Sequence, residues 1–416
     1  MVFTEKTWAQ YTQDARVWIN QLASAEFKGR GYTGGDSLAA FYIASELKKA
    51  GIGHLDGGYF QNFSLDANTF PQEISLTFNN TRLIPGKDFV LSPWSGSLNG
   101  KYKYVTLNKE NLLTDEAIAQ FLLKNKNKLI VLDTFKIRFN NQIISTRNFA
   151  MANIAENVGY IMLDEGQPIF GAASFSVNHF SASVRRSAVS KAKGKLKVSV
   201  TNDLKKNYTT RNVIGYIPGS TDTCILLTAH YDHLGQLGPN VFYAGAHDNA
   251  SGVAAITSLG KILAQQKPHY SYLLVYFSGE ESGLLGSVFF VNNSPIKLSK
   301  IKMVLNLDLA GSGDQGISVV NGKTHPDVVA VFDSINKKNN YFPVINVRGP
   351  AANSDHHPFH EKNIKSVFIY TMGEYKAYHI PEDNAENIPL TKFNELILFV
   401  WDYLCTEDKG LQLSNE

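Results

Sequence analysis

Two adjacent carboxylates, Glu280 and Glu281, follow the apolar run of residues 271–277 and precede Gly283-Leu-Leu-Gly286. Neighbouring anions at a strand end are costly unless a cation takes up the charge. Upstream lie His230-Tyr-Asp232 and Asp248-Asn-Ala-Ser-Gly252; downstream lie Asn306-Leu-Asp308 and Tyr378-His379. Imidazoles and carboxylates that each close an apolar run form the donor set of a two-metal hydrolase site.

Each residue type has a task in such a site. A zinc ion takes imidazole nitrogen and carboxylate oxygen and keeps a position open for water. Asp232, two residues after His230, offers a carboxylate to the second imidazole N–H, which fixes the tautomer. Asp248 precedes Asn249-Ala-Ser-Gly252, which opens a helix, so its carboxylate can be held beside free backbone N–H groups. One Asp can use both oxygens to bridge ions roughly 3.5–4 Å apart. Glu280 and Glu281 point in different directions on an extended segment. One can therefore ligate while the other faces the water as general base.

The elements that must position these residues alternate in type from residue 197 onward. Expected strands are 224–229, 272–277, 302–307, 317–320 and 366–370; expected helices are 250–265, 283–293, 325–339 and 391–405. Continuous apolar strands alternating with helices imply an α/β fold with a mostly parallel mixed sheet and helices on both faces. His230, Glu280, Glu281, Asp308 and His379 all fall at or beyond the C-terminal ends of such strands, the edge where open sheets assemble sites.

The N-terminal segment contributes an amphipathic helix over 6–23, a loop at Lys28-Gly-Arg-Gly31 and Thr33-Gly-Gly35 read as flexible, and a helix over 36–50. From 65 to 196 the texture changes to short strand-like runs (101–107, 129–133, 160–163) with helical stretches near 114–123 and 148–157. The chain thus divides into a discontinuous domain of 1–64 and 197–416 and an inserted α/β or β-rich domain of 65–196.

The 416 residues carry a formal charge of +3 with 44% hydrophobic residues, ordinary for a soluble globular chain and too weakly basic for an electrostatic nucleic-acid binder. Cys224 and Cys405 can build neither a disulfide framework nor a thiolate zinc site. No apolar stretch reaches membrane-spanning length. The first residues lack the apolar core of a signal peptide, which reads as a cytoplasmic chain, or as a periplasmic or secreted one whose leader was removed.

Two decoys fall away on context. Gly311-Ser-Gly-Asp-Gln-Gly316 matches a dinucleotide fingerprint, but the residues after it read as strand where a helix N-terminus is needed. His360-Glu361 begins a zincin-like motif, but Ile364 stands where the second histidine belongs.

The ordered series His230-Tyr-Asp232, Gly245-Ala-His-Asp-Asn-Ala-Ser-Gly252, Gly279-Glu-Glu-Ser-Gly-Leu-Leu-Gly-Ser287, Asn306-Leu-Asp308 and Tyr378-His379 resembles the motifs of the co-catalytic dizinc aminopeptidases, metallopeptidase family 28. The resemblance implies two Zn²⁺ per chain, with cobalt or manganese able to substitute. His230 and Asp308 would hold one ion, Glu281 and His379 the other, and Asp248 would bridge them. Glu280 would be the general base and Asp232 the residue orienting His230. The activity implied is removal of N-terminal residues from peptides by a hydroxide bridging the ions, and the substrates are peptides with a free N-terminus. Members often carry an inserted protease-associated domain, which residues 148–162 resemble. A Ser-Asp-His segment near the family's substrate pocket has its counterpart in Ser354, Asp355 and His356. Tyr378 and Arg348 complete the candidate pocket, Arg348 as the basic group that a carboxypeptidase for acidic substrates would need. Two alternatives share the fold: a single-zinc glutaminyl cyclase and that carboxypeptidase. A third is an inert scaffold of the transferrin-receptor kind, although no ligand position is lost here.

Overall fold

The computed structural model describes residues 5–108, 114–133, 153, 155–189 and 193–412. Its larger sheet contains β1 (Phe60–Thr69), β2 (Asp203–Ile217), β3 (Cys224–His230), β4 (Ser271–Phe277), β5 (Ile301–Leu307), β6 (Gly316–Val320), β7 (Ile345–Val347) and β8 (Ser366–Met372). Across the sheet the order is β1-β2-β4-β3-β5-β8-β6-β7. Pairing is parallel through β4, β3, β5 and β8 and between β6 and β7. It is antiparallel at β1/β2, β2/β4 and β6/β8. The sheet is therefore mixed, with its parallel strands in the middle.

Every residue of β3 and β4 is buried, the signature of strands covered on both faces. Successive side chains alternate between two cores. Ile225, Leu227 and Leu274 pack with Trp18 of α1 (Glu5–Leu22), Ile43 of α2 (Gly35–Lys49), Ile256 of α3 (Ser251–Leu263) and, further along the sequence, Trp401 of the C-terminal helix Phe393–Glu407. Leu226, Leu273 and Val275 pack on the other side with Phe290 of α4 (Leu285–Asn292) and with Phe359. Among the described residues no helix is long and apolar enough to cross a membrane.

A second eight-stranded sheet is built from residues 75–200. Its middle strands Leu98–Leu107, Leu129–Leu132, Gly159–Asp164 and Phe180–Arg185 run parallel. Thr114 caps the helix Asp115–Lys124 by accepting from the Ala117 amide. The helical stretch read near 148–157 lies mostly outside the described residues. The sequence seams at 64/65 and 196/197 fall inside β1 and inside the strand Lys193–Val200. The reason is that β1 and β2 run on as one long antiparallel ribbon, with a register shift between Leu65 and Ala67, that leads from one sheet toward the other. The core of the second sheet also takes in Leu234, Leu237 and Tyr243. The two units thus share apolar packing at their seam.

The loop expected to be flexible is instead a tight turn, Ala25–Arg30, with Phe27, Gly29 and Arg30 buried. Gly29 has φ +59°, and a Cβ there would lie 2.4 Å from the carbonyl oxygens of Gly235 and Tyr243. Only glycine permits that approach.

Candidate metal centre

The parallel strands deliver the polar residues to one rim. His230 ends β3, Glu280 and Glu281 follow β4, Asp308 follows β5, and His379 lies beyond β8. Asp248 sits on the turn before α3, with an extended backbone (φ −112°, ψ 91°). Its carboxylate is not held by the free N–H groups there, as the sequence suggested. Asn249 Oδ1 accepts from the Gly252 amide at 2.8 Å, and Asn249 Nδ2 donates to the Leu307 carbonyl. With Asn249 anchoring the helix start, the Asp248 carboxylate is free to face the rim.

Asp248 lies between the two histidines. Its Oδ1 is 3.2 Å from His230 Nε2 and its Oδ2 is 3.1 Å from His379 Nε2. His230 Nε2 is also 3.4 Å from Asp308 Oδ1, and His379 Nε2 is 3.3 Å from Glu281 Oε2. Ligand atoms of His230, Glu280 and Asp308 lie within 4.8 Å of one another, as do those of His230, Asp248 and Glu281. All the expected ligands are therefore brought together, with Glu280 on the His230 and Asp308 side.

The electrostatics are those of a carboxylate nest. Burial opposes charge on Asp248, yet the hydrogen bonds from His230 and His379 hold its pKa well below the ordinary value. Burial and the charge of Asp248 raise Glu281, but His379 and His233 outweigh them and bring it down to about 2. Burial disfavours protonated His379, but Glu281 and Asp248 push it up to about 11. Glu280 differs: burial, reinforced by Glu281, Asp355 and Asp308, lifts it well above the usual carboxylate range against the pull of His230.

These residues fit divalent metal ions. Asp308 Oδ1 is buried with no hydrogen-bond partner. The buried Arg30 guanidinium sends its hydrogen bonds to backbone carbonyls and none to the nest. Imidazole nitrogens facing clustered carboxylate oxygens are a mixed N/O donor set suited to zinc.

Behind the ligands the sequence reading is partly corrected. Asp232 does not hold His230 through its carboxylate: His230 Nδ1 is 3.2 Å from the Asp232 backbone oxygen, and the carboxylate Oδ1 is 3.8 Å away. That carboxylate instead accepts from the Tyr32 hydroxyl at 2.9 Å and from the Glu280 amide at 3.2 Å. With both carboxylate oxygens engaged by Tyr32 and the Glu280 amide, the backbone carbonyl of Asp232 is the group left to face the imidazole. Ser354 donates to Asp308 Oδ2 at 2.9 Å and accepts from Asn306 Nδ2 at 2.8 Å, while Asn306 Oδ1 accepts from Thr228 at 2.7 Å. Asp355 is fully buried, and burial holds it up to about 7. His356 is buried against Phe368, and burial brings it down to about 3. Tyr378 is exposed and stacks on His379 with ring centroids 3.9 Å apart. Arg348 lies just past β7, the strand at one end of the sheet; its guanidinium hydrogen-bonds the Tyr370 hydroxyl and meets none of the cluster.

Several site residues escaped sequence reasoning. His233 Nδ1 lies 2.6 Å from Glu281 Oε1; its place three residues after His230 was the available signal. Asp383 accepts from the amides of His247 and Asp248 at 2.8 and 3.1 Å. Arg30 Nη2 donates to the carbonyls of Gly245 and Asp248 at 2.8 and 3.2 Å. His247 turns away from the nest and accepts from the Gly311 amide.

BSAP, a zinc aminopeptidase from Bacillus subtilis, superposes with a TM-score of 0.73 at 20% identity over 97% of each chain. The Peptidase M28 precursor from Shewanella amazonensis SB2B superposes with 0.69 at 17% identity over 99% of this chain and 96% of its own. This chain thus shares the fold of these two structures over nearly its whole length. Residues 212–404, the stretch that carries every candidate ligand, match the family model described as Peptidase family M28. Aminopeptidase YwaD of Bacillus subtilis (strain 168) is 29% identical over 199 residues, 44% of this chain and 41% of YwaD. Leucine aminopeptidase 2 of Trichophyton rubrum is 35% identical over 134 residues, 32% of this chain and 26% of that protein. The chain therefore matches less than half the length of these curated relatives.

Proposed function

We propose that this protein is a metal-dependent aminopeptidase that removes N-terminal residues from peptides, with two zinc ions per chain. The observation that carries the reading is Asp248, whose two carboxylate oxygens each face a different imidazole at 3.2 and 3.1 Å. That is the disposition of a bridging carboxylate. His230 and Asp308 would hold one ion, His379 and Glu281 the other; cobalt or manganese would substitute. Such ions, when bound, polarise a carbonyl and make water a stronger acid at neutral pH.

The chain's own residues supply the remainder. Glu280 is half-buried beside His230 and Asp308, and its raised proton affinity suits a general base. It would take the proton of the attacking water and return it to the amine released when the peptide C–N bond breaks. Asp232 fixes the Glu280 amide, and Ser354, Asn306 and Thr228 fix Asp308, so neither carboxylate must reorganise during the reaction. The names of the relatives support the exopeptidase direction and a peptide with a free N-terminus as substrate.

The test compares zinc-reconstituted hydrolysis of aminoacyl anilides with that of their N-acetylated partners. Cleavage of the free-amine forms alone, abolished by chelator, is the expected result. Equal cleavage of both forms, or of neither, would overturn the assignment.

A further inference from the structure

Phe170 of the inserted unit touches a candidate ligand of the metal centre directly. The Phe170 amide donates to the His379 carbonyl at 3.0 Å, and His379 Nδ1 lies 3.2 Å from the Phe170 carbonyl oxygen. A carbonyl can only accept, so this contact calls for a proton on Nδ1; in the neutral, metal-binding ring the Nε2 lone pair then faces the ion position beside Asp248 and Glu281. Phe170 belongs to the second unit, which follows β1 and precedes β2 in sequence, and it lies 209 positions from His379.

That contact is braced on both sides. The Phe170 ring stacks on Tyr243 with centroids 4.8 Å apart and meets Phe70 edge-on at 6.4 Å, inside the shared core at the seam. Gln167 Nε2 donates to Glu382 Oε2 at 2.8 Å and to the Gly86 carbonyl at 2.9 Å. Gly86 approaches so closely that a Cβ there would lie 2.9 Å from Pro381 Cγ and from Val241 Cγ1. Segments around 86 and 167–170 therefore clasp the 379–383 loop. That loop carries His379 at one end and, at the other, Asp383, whose carboxylate holds the amides of His247 and Asp248.

We propose that the inserted unit is a working part of the metal centre, with Phe170 as the positioning residue that orients His379 toward the ion it shares with Glu281. This rests on the reading of His379 as a metal ligand. The consequence is selective: loosening the clasp weakens one of the two metal-binding steps, because His230 and Asp308 are held from β3 and β5 without the insertion.

The experiment uses the full chain, stripped with chelator and titrated calorimetrically with zinc, with the visible spectrum of the cobalt form as a second readout. Phe170→Ala removes the ring that fixes the backbone, Gln167→Ala opens the clasp from its exposed side with little risk to folding, and Phe170→Leu is the conservative control. In Phe170→Ala we expect one binding step to weaken by about 10–100-fold, the other to hold, and the cobalt spectrum to change. Gln167→Ala should weaken the same step by a smaller factor, and Phe170→Leu should retain most of the wild-type affinity. Both steps unchanged in both alanine variants, or both weakened equally, would overturn the proposal; should Phe170→Ala not fold, Gln167→Ala decides alone. The wild-type isotherm tests the ligand reading separately: absence of two binding steps there would remove that reading and this proposal with it. Two steps without peptide hydrolysis would remove only the assigned activity and leave the role of Phe170 standing.

Discussion

Arg30 donates to the backbone carbonyl of Asp248 at 3.2 Å, across 218 positions of sequence. The same guanidinium holds the carbonyls of Gly245 and Leu22 and is fully buried. Asp383 takes the Asp248 amide from the opposite side. The residue between the two histidines is thus clamped at both backbone ends by charged groups that never touch its carboxylate.

Arg30→Met should therefore damage the site without removing a ligand. Each carbonyl left buried and unpaired costs about 1–3 kcal/mol. Urea denaturation should show a loss of a few kcal/mol, on the order of 2–5, and zinc affinity should fall with it. Unchanged stability would mean that water replaces the guanidinium and that the clamp is incidental.

Glu280→Gln separates catalysis from metal binding. Turnover should drop by about 10²–10⁴-fold, the range for a positioned acid–base group, while bound metal measured by elemental analysis stays at the wild-type level. Loss of metal in this variant would show that Glu280 ligates and would reverse the roles given to the two glutamates.

Ser354→Ala breaks the relay from Thr228 through Asn306 to Asp308 and leaves the Asn306 amide without its acceptor. Affinity for one ion should fall by about 10–100-fold, read by competition with a chromogenic chelator. Identical isotherms would remove the relay from the account.

Asp36 gives a pH dependence that is independent of the metal centre. It is fully buried; burial raises its pKa from 3.8 to about 6, although Tyr208 and Thr210 donate to it. The folded state binds this proton more tightly than the unfolded chain, so the stabilisation is complete below 3.8 and is lost as pH rises through about 6. At roughly 1.4 kcal/mol per unit, the change is on the order of 3 kcal/mol. The stability of Asp36→Asn should vary less than that of wild type between about pH 4 and pH 7 in urea melts. Parallel curves would place the dependence elsewhere.

How much of this was legible in the sequence divides by the range of the interaction. That the candidate ligands would meet was legible because each sits in a short motif at the end of an apolar run, and parallel strands carry such ends to one rim. His233 and the backbone oxygen of Asp232 depend on how a few residues turn after β3, which the motif does not specify. Arg30, Asp383 and Phe170 reach the site only through tertiary packing, from segments with no metal-ligand signature of their own. Even the seam between the two units was blurred, because β1 and β2 continue past it as one ribbon.

On the proposed function, Asp248 joins two ions in a centre that hydrolyses peptides with a free N-terminus. The most direct test is a zinc titration of the chelator-stripped protein in which bound metal and hydrolysis of leucyl anilide are followed together. Two equivalents should bind per chain, with activity present only when Asp248 is intact and lost in Asp248→Asn. Full activity at a single equivalent, or undiminished activity in Asp248→Asn, would contradict it.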